Sequence, residues 1–173
     1  MKLNTFFLVS ATAMTMVSGA ANAADEATAE VLWSGLIGSS VPSSNLIITG
    51  EGGGDIGTGT LFIEEDGTFN STEVILEARD YDSALETIGD RQPDATWSFI
   101  SAQVMMGTSM TYQADVIVTD QLTNTEFTQG SIDQLQSGVV ALTVKNEQPI
   151  TDITVEGEGQ VSVQMTASFV DGL

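Results

Sequence analysis

The chain has 173 residues with no cysteine and no histidine, and its 24 acidic against 4 basic residues give a net charge of −20. That balance argues against nucleic acid and anionic membrane surfaces as partners, because both would repel it. Without cysteine or histidine there is no disulfide and no Cys–His or Ser–His–Asp catalysis, and the commonest transition-metal ligand is missing.

The first residues read as an export signal. Lys2 supplies one positive charge in a short polar head, residues 6–20 form an uncharged apolar run, and Ala21-Asn22-Ala23 is a small-x-small cleavage site. The run is shorter than the roughly 20 residues that span a bilayer. Cleavage after Ala23 is expected to release residues 24–173 beyond the inner membrane of a Gram-negative-type cell. Lys2 leaves with the signal, so the remaining 150 residues carry −21. That length makes one domain with a real core.

After the signal, valine, isoleucine and threonine recur between glycine, asparagine and aspartate punctuation, the pattern of strands and turns. Residues 24–29 are the one stretch read as unstructured. Strands are predicted at 31–38 and 45–50, followed by a flexible glycine-rich loop over 50–59. A strand at 60–64 leads into a turn at Glu65-Asp66-Gly67, and the β-pattern continues over 68–78. The polar segment 80–92 is predicted to hold a short helical turn. Residues 96–106 form a strand whose Trp97, Phe99, Ser101 and Gln103 share a parity but make a mixed face. Strands follow at 111–119, 124–129, 139–144 and 150–155, with Lys145 in a turn. The last strand is the clearest. Val161, Val163, Met165, Ala167 and Phe169 alternate with polar residues, as in a sheet with one buried face. Short strands at regular spacing predict an all-β sandwich.

Local constellations offer little chemistry. Gly50-Glu51-Gly52-Gly53-Gly54-Asp55 lacks the lysine of a phosphate loop and is followed by strand signals. Its likeness to calcium-binding glycine–aspartate repeats is single, and such repeats work as arrays. Glu64-Glu65-Asp66 offers hard oxygen ligands suited to Ca²⁺, without the spacing of an EF-hand. Paired carboxylates near 64–66 or 80–82 are what a secreted hydrolase would use. The aromatic platform for such a site is thin, and the expectation is a non-enzyme with no catalytic residue, no metal and no cofactor.

The two ends carry more. Val31, Trp33, Gly35 and Ile37 fall on one parity just after the signal. Glycine weakens an ordinary strand, but fits where a side chain would collide with an acceptor groove. Val31-x-Trp33-x-Gly35-x-Ile37 and the closing alternating strand 159–169 resemble the two ends of fimbrial subunits of the chaperone–usher class. The absent cysteines and the acidic balance are similar to the disulfide-free major subunits of that class. The chain departs from many members in lacking a tyrosine next to its last residue.

The resemblance implies an incomplete immunoglobulin-like sandwich, completed by a donor strand from a neighbouring subunit. Residues 1–23 would be the signal, 24–38 the donor extension and 39–173 the pilin domain. Val31, Trp33 and Ile37 would plug a neighbour's groove, with Gly35 at its narrowest point. Val161, Val163, Met165, Ala167 and Phe169 would line this subunit's own groove and pair with a periplasmic chaperone. The implied function is a structural subunit of a surface fimbria, polymerising non-covalently and supporting adhesion. Its partners would be identical subunits, the chaperone, an outer-membrane usher and a host-surface receptor. The alternative is a monomeric secreted β-sandwich that binds carbohydrate or calcium or serves a biofilm matrix, with residues 31–38 folded into their own sheet.

Overall fold

Alternating apolar and polar residues favour strands, because a pleated chain sends successive side chains to opposite faces. A computed structural model describes residues 24–34, 38–107, 109–111, 113–151 and 159–170. In chain order the strands are β1 (Asp25–Trp33), β2 (Ser39–Val41), β3 (Leu46–Thr49), β4 (Leu61–Ile63), β5 (Phe69–Ser71), β6 (Val74–Asp82) and β7 (Thr87–Arg91). Then come β8 (Thr96–Met106), β9 (Ser109–Thr111), β10 (Ile117–Asp120), β11 (Thr125–Phe127), β12 (Leu135–Gln136), β13 (Val139–Asn146) and β14 (Gly159–Phe169). A single 3-10 turn spans Glu51–Gly53, and no α-helix occurs among the described residues.

The strands make two antiparallel sheets. The first runs β12-β8-β14-β1-β2, with β9 also on β8. The second runs β11-β10-β13-β5-β4, with β6 also on β13 and both β3 and β7 on β6. One core lies between them. The first sheet contributes Trp33, Trp97, Phe99, Val163 and Met165, and the second Leu46, Ile48, Leu76, Leu142 and Val144. Both indole N–H groups are satisfied inside it. Trp33 donates to the Thr72 carbonyl at 2.9 Å and Trp97 to the Ser137 carbonyl at 2.7 Å. The fold is thus an all-β, two-sheet sandwich architecture.

Several expectations change. Residues 25–29 are not unstructured: they belong to β1, with Ala27 and Ala29 fully buried. The segment 80–92 holds a hairpin in place of a helical turn. β6 and β7 pair through Tyr81↔Ile88 and Asp82↔Thr87, and Asp82 accepts the Ala84 and Leu85 N–H groups across the bend. Lys145 lies inside β13 opposite Ile117, so the turn begins later. The predicted strand at 111–119 is two short strands, β9 and β10, and its Tyr112 lies outside the described residues. Of the predicted strand at 150–155, Ile150 and Thr151 are not in a strand, and the rest lies outside the described residues.

The mixed face of residues 96–106 has a cause. Gln164 pairs with Ser101 and Met165 with Phe99, so Ile100 is an extra residue in β8. Such a bulge switches which parity faces inward. Trp97 and Phe99 point to the core before it, Val104 and Met106 after it.

Candidate strand-exchange site

β1 lies antiparallel to β14 along its whole length, from Asp25↔Phe169 to Trp33↔Val161. Ala27, Ala29, Val31 and Trp33 are 0% exposed, and so are Val161, Val163, Met165 and Ala167 across from them. The pairing is complementary in size, since Ala29 faces Met165 and Trp33 faces Val161. At those two places the smaller residue leaves room for the larger one opposite, while Ala27 faces Ala167 and Val31 faces Val163. Phe169 is only half-buried and packs at the core's margin.

The structure therefore brings Val31 and Trp33 together with Val161 and Val163 within one chain. Gly35 and Ile37 lie outside the described residues, as do the export signal at 1–23 and residues 171–173. Sequence reasoning missed Ala27 and Ala29, which extend the buried row toward the start of the chain. Alanine signals burial weakly and is a poor strand former, so the alternation Ala27-x-Ala29-x-Val31-x-Trp33 was legible only by parity.

The other edge of β1 is closed in two parts. β2 pairs with residues Thr28, Ala29 and Glu30 only. Beyond it, the Gly59 N–H donates to the Leu32 carbonyl at 3.1 Å and the Ser34 N–H donates to the Gly59 carbonyl at 3.0 Å. Gly59 has no side chain for a reason. A Cβ there would stand 2.1 Å from Trp33 Cδ1, inside a rigid buried ring.

The acidic turns are occupied with their own geometry. Asp66 Oδ1 accepts from the Thr68 hydroxyl at 2.7 Å and the Thr68 N–H at 3.0 Å, and these bonds hold its carboxyl below its ordinary pKa. Asp80 accepts from Gln92, and Asp82 caps the β6–β7 bend. Asp120 is fully buried and accepts from the Ala141 N–H and from Thr123. Among the described residues no group of three or more acidic side chains is arranged to hold a metal ion. No helix among them is long and apolar enough to cross a membrane.

The fold and this site define a class: an all-β, two-sheet protein whose N-terminal strand is seated beside its C-terminal one. Compared with protein-family models, curated proteins and solved structures, the chain matches none.

Proposed function

We propose that the protein is a structural, non-enzymatic subunit of a surface fimbria that polymerises by exchanging its N-terminal strand. The observation that carries this reading is the seat of β1. Its four successive inward side chains, Ala27, Ala29, Val31 and Trp33, are fully buried against β14. Every contact it makes there is available to the β1 of another copy, because the register depends only on the two strands. An extended segment bound this way takes its affinity from main-chain hydrogen bonds and its specificity from alternate side chains in pockets. Val31 and Trp33 contribute roughly 1.5–3 kcal/mol each by burial.

In this reading the sandwich is immunoglobulin-like, and the described arrangement is the closed subunit with its own strand in the groove. Exchange with a neighbour conserves the contacts, so chain connection and concentration set the balance between monomer and polymer. An empty groove would expose the Val161–Ala167 row and an unpaired edge of β14, which aggregates readily. A periplasmic chaperone that covers it, and an outer-membrane usher that trades chaperone for subunit, are the partners that would protect it during export. Export through the periplasm to the cell surface, and adhesion through a host receptor, complete the proposal.

The seat of β1 in its own sheet also favours a second reading, a self-contained secreted sandwich that never exchanges. The two part on one gel. Surface material from the native cell, run in SDS with and without boiling, is expected to give a ladder of multiples that collapses on heating. A single band near the monomer mass in both lanes would overturn strand exchange and leave the self-contained module.

A further inference from the structure

β6 carries Leu76 and Ala78 toward the core, which sends Glu77 and Arg79 to the outer face of the second sheet. Glu77 is nonetheless 1% exposed. The Glu51–Gly53 turn packs against β6 beside it. Arg79 donates through Nε at 2.7 Å and Arg91, from β7, donates through Nη2 to the other oxygen. These are the only two arginines in the chain, and both hold this one carboxylate. The Arg79 guanidinium also lies against Gly53, 3.4 Å from where a Cβ would stand.

From that anchor the chain runs across the seam of the sandwich. The Gly50 N–H donates to the Gly54 carbonyl at 2.8 Å, Ile56 enters the core at 5% exposure, and Gly59 reaches the open edge of β1. The far end is tied down as well. The Thr60 N–H donates to Thr72 Oγ1 and the Thr72 N–H to the Thr60 carbonyl, each at 2.9 Å, and the Thr72 carbonyl accepts the Trp33 indole. Residues 50–59 thus join a buried ion cluster on one sheet to the edge of the strand seated in the other.

We propose that residues 50–59 are a strap over β1, and that the Glu77–Arg79–Arg91 cluster holds it shut and so sets how readily β1 leaves its seat. Glu77 acts as a positioning residue: it holds Arg79, whose guanidinium lies against the strap at Gly53, and the strap touches β1 at Gly59. The device deepens the strand-exchange reading and rests on it for its purpose, since only a strand that must leave needs a regulated closure. A two-sided clamp at one end fixes the path of a glycine-rich run that would otherwise sample many conformations.

Hydrogen–deuterium exchange of the full chain, read by peptide mass spectrometry, tests this in Arg91→Lys and Glu77→Gln. Peptides covering β1 through Ser34 are expected to exchange at least about tenfold faster than in the parent, while those covering β10 keep the parent rate. Equal acceleration in both regions would make the cluster a general stabiliser and overturn the strap. An unchanged β1 would overturn it too. The Arg91 side chain is 47% exposed and lysine keeps the charge, so that variant decides the matter if Glu77→Gln does not fold. Gly59→Ala, which pushes on Trp33 without touching the cluster, should give the same selective loosening. Unheated detergent gels of the same samples separate the two proposals. Selective loosening without multimers keeps the strap and overturns exchange. Multimers without selective loosening overturn the strap alone.

Discussion

Glu77 concentrates the electrostatics of the molecule at one residue. Burial by itself pushes its carboxyl upward. The hydrogen bond from Arg79, the Gly52 N–H, the hydrogen bond from Arg91 and the nearby Arg79 charge outweigh that, and the carboxyl sits below its ordinary value of 4.5. A carboxyl depressed by folding contributes stability above its unfolded value, and that contribution fades as pH falls through the folded value. Glu77→Gln is therefore expected to lower stability at pH 7 by about 2 kcal/mol, with the gap narrowing steadily below pH 4.5. Urea titrations of both proteins between pH 7 and pH 3 check this. A gap that does not change with pH would mean the loss is one of shape rather than charge. The second residue of consequence is Gly59, whose missing side chain lets the Trp33 ring lie flush against the strap.

At the scale of elements, β1 carries the strongest consequence. It is a central strand with β14 on one side and β2 and the strap on the other. Deleting residues 24–34 removes that strand together with the buried Val31 and Trp33. The shortened chain is expected to be unfolded or aggregated alone and to recover its cooperative thermal transition when a synthetic peptide of residues 24–34 is added. Recovery followed by circular dichroism would mark the strand as one that can be supplied from another molecule. Failure at millimolar peptide would mean that β1 docks only when covalently attached. β8 teaches a different lesson. Its boundaries, residues 96–106, were readable from composition, but its inward side was not, because the bulge at Ile100 splits it into two parities. A mixed face in a long strand is itself the mark of such a bulge.

For the whole molecule, charge decides how copies meet. The net charge is −20, and Arg79 and Arg91 are committed to Glu77, so little positive surface remains to offset it. Lys145 is ion-paired as well, with Glu147 at 2.9 Å. Two copies approaching for exchange repel over a distance set by the ionic strength, about 30 Å at 0.01 M and 8 Å at 0.15 M. Multimer formation by the purified chain is expected to accelerate at least several-fold between those salt concentrations, followed by light scattering or unheated gels. A rate indifferent to salt would place the barrier in the opening of the strap and not in the encounter. No α-helix occurs among the described residues, so long-range strand pairing dominates the fold, and such pairing forms slowly.

The sequence by itself determined the all-β character and the β14 alternation, because each is a local pattern with period two. It also determined the charge, a net −20. Tertiary structure set β1 against β14 from Asp25 onward, so that Ala27, opposite Ala167, and Ala29, opposite Met165, join one buried row. It decided that residues 80–92 fold back as a hairpin, whose register belongs to β6 and not to the segment's own polarity. It decided that a glycine-rich run, read as a flexible loop, takes a defined path from a turn beside Arg79 to the edge of β1. Those three outcomes depend on which surfaces meet across the core and along its seam, and no local pattern of residues encodes a meeting between segments that far apart.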